Sequence, residues 1–262
     1  MPSAPEARSL AVFCDFENVA LGVREAKYAQ FEMQKVLERL LAKGSIVVKK
    51  AYCDWDRYKE FKAAMHAASF ELIEIPHLRQ SGKNSADIRM VVDALDLCYT
   101  KEHVDTFVIV SGDSDFSPLV SKLRENAKTV IGVGVKNSSS DLLIANCDEF
   151  IYYDDLVRQD EQKRRATKKR REAAPVGAGE DKKQEAIDLM LGTLEALIAE
   201  RGAEEKIWGS MVKQALKRRN PGFNESYYGY RAFSDLLEEA EKKDLIKLEP
   251  DEKSGGYVVK LA

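Results

Sequence analysis

Asp15, Asp87, Asp113 and Asp115 are the residues whose type and spacing could do chemistry in this chain. Asp15 closes the apolar run "SLAVFCDF". Asp113 and Asp115 stand two apart in "FVIVSGDSDFSPLV", just past a second apolar run. Asp87 opens "SADIRMVVDALDLCYT", two residues after Ser85. Carboxylates gathered without a partner repel: two charges at ~4 Å cost roughly 4 kcal/mol at an effective dielectric of 20. A hard divalent ion, Mg²⁺ or Mn²⁺, offsets that best, because it takes oxygen ligands, uses few carboxylates and keeps waters for a substrate phosphate. Such an ion can also activate water against a phosphodiester. The competing reading is local, since aspartate in a strand-to-helix turn is a common N-cap. Any one of the four fits that role, and Asp115 before "FSPLV" fits it well. Four on one edge fit a metal better. Asn18, three residues past Asp15, is a fifth polar group or another turn cap.

For the four to meet, the elements carrying them must be neighbours. Residues 1–155 alternate strand and helix signals. Strands are expected at 9–16, 45–55, 70–76, 106–112, 129–135 and 149–155, as compact apolar runs. Helices are expected at 28–44, stopped by Gly44, and at 57–68, 85–100 with Ser85 as N-cap, 117–126 and 139–147. Alternation of this kind predicts an α/β sandwich with a mostly parallel sheet. Runs that are apolar throughout belong to strands covered on both faces. Sites in such sheets form at the carboxyl edge of the strands. If the first strand lies beside 106–112, the four aspartates converge there. Lys83 and Lys136 fall in loops at the same edge and are candidate phosphate contacts.

The remainder of the chain changes character. Residues 1–155 carry 19 Lys/Arg against 24 Asp/Glu, a net −5. Residues 156–172 carry 8 against 3, a net +5, and "KRRATKKRR" (163–171) places seven basic residues in nine. With Pro175, Gly177 and Gly179 beyond it, 156–183 reads as a basic flexible linker, helical at most at its start. The bland reading is a solvated linker; the sharper one, compatible with it, is a sequence-independent RNA tether whose grip would fall steeply with salt. From 184 onward three amphipathic helices precede two short strands, 245–250 and 255–262, which is a winged-helix pattern. Lys213, Lys217, Arg218 and Arg219 form a basic patch on its second helix. Tyr227, Tyr228 and Tyr230 follow closely, so phosphate contact and base stacking are both available. The bland alternative is a solvated face over core tyrosines. The domains expected are thus 1–155, a linker 156–183, and 184–262.

Composition narrows the class further. No apolar run reaches membrane-spanning length, and "MPSAPEARSL" has no signal-peptide core, so a cytoplasmic location is expected. Cys14, Cys53, Cys98 and Cys147 show no CxxC pairing and read as buried apolar residues.

"AVFCDFENV", "NSADIRMVVDAL" and "VIVSGDSDFSPLV", in that order over residues 9–155, resemble the NYN family of PIN-like ribonucleases, the LabA-like branch in particular. The resemblance implies a PIN-like Rossmannoid three-layer sandwich and Mg²⁺- or Mn²⁺-dependent hydrolysis of RNA. The family's acidic positions fall on Asp15, Asp87, Asp113 and Asp115, and its polar position on Asn18. Two departures stand out. Asn126 and Ala127 replace a glycine before the fifth strand, where Asn126 is expected to take the left-handed turn. Phe16 and Glu17 occupy positions where a small residue is common. The segment 209–249, with "PGF", "YGY" and "FSDLLE", resembles a LOTUS (OST-HTH) domain. That implies a winged helix that binds RNA, with a leaning to G-rich or structured RNA, or that docks a protein partner. Two other readings compete. One is a haloacid-dehalogenase-like phosphatase, whose chemistry wants an aspartate two residues after its nucleophile, where this chain has Glu17. The other is an RNA-binding scaffold with a vestigial site.

Overall fold

The computed structural model describes residues 8–28, 30–75, 85–172, 180–202, 205–251 and 256–262. The chain divides into two compact units, 1–37 with 45–164, and 38–44 with 165–262.

The first unit is built on a six-stranded sheet. Its strands are β1 (Arg8–Asp15), β2 (Gly44–Cys53), β3 (Glu71–Glu74), β4 (Thr106–Val110), β5 (Thr129–Gly134) and β6 (Glu149–Tyr152), in the order β3-β2-β1-β4-β5-β6. β1 pairs parallel with β4, β4 with β5, β5 with β6, and β2 with β3. The chain reverses its direction of winding between β1 and β4. That is where a doubly wound sheet opens a crevice beyond its carboxyl edge. β1 feeds side chains to both faces: Ala11 and Phe13 join the cluster of Phe107, Ile109, Met90 and Leu119, while Leu10, Val12 and Cys14 are buried on the other side. Phe13 stacks on Phe107, ring centroids 6.0 Å apart, across the β1–β4 pair. The face bearing Phe13 is covered by α4 (Ser85–Thr100), α5 (Ser117–Glu125) and α6 (Asp141–Asn146) through Met90, Ala94, Val120, Leu123 and Leu143.

Between β1 and β2 the helix expected over 28–44 is α2 (Met33–Lys43), and a helix that was not expected, α1 (Phe16–Glu25), precedes it. α1 starts directly on Asp15 and buries Phe16, Val19 and Val23, one helical stripe. α2 ends at Lys43, immediately before Gly44 as expected, and Gly44 itself begins β2. α3 (Lys59–Ala67) leads to β3.

Two further expectations need correction. Ala127, not Asn126, takes the left-handed conformation before β5, at φ +56°; Asn126 caps α5 at φ −92°. Residues 156–172, expected as a flexible linker, continue as helix α7 (Tyr153–Glu172). Gln, Glu, Lys, Arg and Ala are strong helix formers, and they need no apolar stripe to hold a helical backbone. Residues 173–179 lie outside those described.

In the second unit α8 (Glu180–Arg201), α9 (Gly209–Arg219) and α10 (Phe233–Lys242) precede the antiparallel pair β7 (Ile246–Asp251) and β8 (Gly256–Leu261). A single bridge from Trp208 to Val258 adds a third strand position. Ile187, Leu194, Leu216, Leu236, Ile246 and Val259 form one core. Three helices and a hairpin around one core make a small winged-helix domain.

All four cysteines are free thiols; Cys14, Cys53 and Cys98 are buried and Cys147 half-buried. Among the described residues no helix is long and apolar enough to cross a membrane.

Candidate active site

Each carboxylate is placed by the end of an element. Asp15 is the last residue of β1 and the N-cap of α1, and is 7% exposed. Its Oδ1 accepts from the Asn18 N–H at 3.3 Å, and its Oδ2 from the Ser111 hydroxyl at 3.1 Å. Ser111, one residue past β4, also accepts from the Asp113 N–H at 3.2 Å. One hydroxyl thus ties the end of β1 to the turn after β4. Asn18 makes a second tie, its Oδ1 accepting from the Gly112 N–H at 2.9 Å. Asp113 accepts from the Asp115 N–H at 3.0 Å and caps a 3-10 turn over 114–116. Asp115 is exposed and does not cap α5, whose N-cap position is Phe116. Asp87 sits half-buried in the first turn of α4.

Charge shows how near these groups are. Burial raises the Asp15 carboxyl to about 7, helped next by Asp87 and then opposed by the Asn18 and Ser111 donors. Burial raises Asp87 to about 6, followed by Asp113, Asp115 and Glu17. Every charged group among these contributions is a carboxylate. The aspartates therefore share one electrostatic environment, poorer in positive charge than its acids require. Hard carboxylate oxygens in that condition are the donor set that Mg²⁺ or Mn²⁺ takes. Among the described residues, no three His, Cys, Asp or Glu are drawn close enough to form a closed shell as they stand.

The backbone around them leaves little room. A Cβ on Gly112 would lie 2.5 Å from the Ser138 carbonyl oxygen and 2.9 Å from Ser139 Cα. The Ser140 N–H donates to the Gly112 carbonyl at 2.9 Å. The loop after β5 is thereby pinned against the turn that carries Asp113.

Other expected contacts lie elsewhere. Lys136 is at the carboxyl edge, but its ammonium sits 6.0 Å over the Tyr152 ring, toward β6. Lys83 lies outside the described residues. In the winged helix, Lys217 is exposed and Lys213 pairs with Glu225 at 2.8 Å. Arg218 is half-buried. Arg219 donates to the Gly192 carbonyl at 2.9 Å, so its guanidinium is spent on holding α8 to α9. Tyr230 is buried in the core and cannot stack a base. Tyr228 is half-buried against Phe223, centroids 5.2 Å apart. The exposed ring is Tyr227, with the Lys182 ammonium 4.5 Å from its centroid.

Two groups at the site were not foreseen. Ser111 was legible only as part of "SGDSD"; its bridging role needs the β1–β4 register. Glu17 acts on Asp87 and pairs with Arg57, in the loop after β2, at 3.3 Å.

The NYN domain family matches residues 9–154, and the chain belongs to that family. An uncharacterised protein of Methanocaldococcus jannaschii is 27% identical over 143 residues, 55% of this chain and 56% of that protein. The meiosis regulator and mRNA stability factor 1 of Xenopus tropicalis is 26% identical over 148 residues, 56% of this chain and 9% of that protein. This chain therefore spans little more than half of one curated relative and a small part of the other. A solved structure of a protein of unknown function from Vibrio parahaemolyticus matches with a TM-score of 0.52 at 27% identity. The match covers 58% of this chain and 97% of that one.

Proposed function

We propose that this member of the NYN family is a metal-dependent ribonuclease that hydrolyses RNA phosphodiester bonds at Asp15, Asp87, Asp113 and Asp115. The observation that carries the proposal is the parallel β1–β4 pair, from whose carboxyl ends Asp15 and the Asp113–Asp115 turn emerge at the crevice. Asp15, Asp87, Asp113 and Asp115 would hold Mg²⁺ or Mn²⁺. Bound there, the ion would supply charge neutralisation at the phosphate and a water of lowered pKa. The chain's own contribution is positioning. Ser111 and Asn18 fix Asp15 against the turn after β4, and Asp113 takes its orientation from the Asp115 N–H.

The winged-helix unit, with its resemblance to LOTUS domains, would recruit RNA. Of the residues expected to contact RNA there, Lys217 is the exposed cation, and the neighbouring Tyr227 is an exposed ring, taking the role first expected of Tyr228, Tyr230 and Arg219. G-rich or structured RNA is the class to try first, and a protein partner is the alternative occupant.

A vestigial site and an active one differ in metal linkage. A ligand that binds only the folded state stabilises it, by about 2.7 kcal/mol at a hundredfold excess over Kd. Mn²⁺ should raise the melting temperature of the wild type and not of Asp113→Asn. Equal curves with and without Mn²⁺ for both proteins would contradict the proposal.

A further inference from the structure

Beside the carboxylates lies a cleft of about 700 Å³ between α4, α5 and α6. Asp87 and Asp115 line it. The rest of its wall is five apolar residues, Ile88, Val91, Val92, Pro118 and Leu142, with three serines. Ile88 and Val92, one turn apart on α4, are 63% and 56% exposed, and Leu142 on α6 is 57% exposed. Ser117, the first residue of α5, also lines the cleft. It is only 7% exposed, and its Oγ meets no hydrogen-bond partner among the described residues.

We infer that this cleft is a subsite for one unpaired base of the RNA, next to the phosphate that the carboxylates address. The inference rests on the nuclease reading above and names which state of RNA that site accepts. Contiguity carries it: a phosphate held at Asp87 and Asp115 has its own nucleoside within reach of Ile88, Val92 and Leu142. The space is within the roughly 300–1,000 Å³ of small-ligand sites, which are walled by apolar side chains with a few placed polar groups. Aliphatic side chains can cover the face of a base only when no neighbouring base already does. A paired, stacked base cannot enter, so the strand must be single at that position. Ser117 supplies the polar group. A serine hydroxyl both donates and accepts, and its χ1 has three staggered wells.

The test uses the full chain with Mn²⁺ and two probes, adenosine 5′-monophosphate and ribose 5-phosphate. Both present the same phosphate, and only the first carries a base. The nucleotide should bind roughly tenfold more tightly, the scale of one base contact. Replacing two exposed wall residues, Val92→Ser with Leu142→Ser, should bring the nucleotide down to the level of the sugar phosphate and leave the latter unchanged. Ser117→Ala should weaken the nucleotide several-fold while the melting temperature holds or rises, because an unpartnered buried hydroxyl has been removed. A serine with only a structural role would leave nucleotide affinity untouched. Equal binding of both probes to the wild type, with Mn²⁺ still stabilising the fold, overturns the subsite and spares the metal site. No binding of either probe, with no Mn²⁺ linkage, sinks both. If the wall variants instead convert a dimer to a monomer with nucleotide affinity intact, the face serves self-association and the subsite is wrong.

Discussion

Ser111 carries two hydrogen bonds, donating to Asp15 at the end of one strand and accepting from Asp113 in the turn after the next. Removing it leaves the charge of the site unchanged and its geometry loose. Groups that orient metal ligands typically cost 10–100-fold in affinity or activity when lost. Ser111→Ala should therefore weaken Mn²⁺ about that much in a calorimetric titration, while Ser111→Thr retains more of it. Asp15 and Asp87 give the site a pH signature. Both are held above the usual carboxylate value of 3.8, to about 7 and about 6. The folded state thus keeps protons that the unfolded state has released. Their stabilising contribution is full below about pH 4 and is lost as pH rises through 6 and 7. Metal-free wild type should lose melting temperature between pH 5 and pH 8, and Asp15→Asn should flatten that slope. Mn²⁺ stabilisation should run the other way and grow over the same range, because protons and metal compete. The four aspartates were legible because each sits at the end of an apolar run or the start of a helix. Ser111 and Glu17 were not, because their partners lie on other elements.

At the scale of elements, the β1–β4 pair decides everything that follows. Its continuous apolar strands predicted a sheet covered on both faces, and β4 is buried at all five residues. The helix α1 was missed because "FENVALGVRE" begins inside the strand's own closing motif, with no turn residue between them. The full length of α7, beyond the helical start expected for the linker, was not foreseen for the opposite reason: it has no apolar stripe, only residues that favour helix. Two glycine questions test the turns. Ala127 adopts φ +56° without glycine's freedom. Ala127→Gly should stabilise the first unit by about 0.5–1 kcal/mol, the left-handed penalty less the added entropy of the unfolded chain. Gly112 is the reverse case, since its Cβ would meet backbone that cannot swing aside. Gly112→Ala should cost about 1–3 kcal/mol in urea unfolding, as overpacking does. It should also weaken Mn²⁺ binding, because the turn it displaces carries Asp113.

For the whole molecule, the second unit sorts its cations into two kinds. Lys217 reaches solvent and Arg219 does not contribute to that surface, being bonded to the end of a carbonyl on α8. Sequence pattern alone could not separate them, because helical spacing places both on the last turn of α9. If this unit recruits RNA, Lys217→Ala should weaken binding evenly across sequences and lower the salt slope by about 1. Arg219→Ala should instead lower the stability of the unit. The central claim, that this NYN chain cuts RNA at its four aspartates, is tested most directly by end-labelled single-stranded and structured RNAs incubated with Mn²⁺, Mg²⁺ or EDTA. Wild type and Asp113→Asn, purified identically, run side by side. Cleavage that requires metal and disappears in Asp113→Asn is the result expected, and its product ladder tells endonucleolytic from exonucleolytic action. The same ladder from both proteins, or RNA bound and uncut by both, would contradict it.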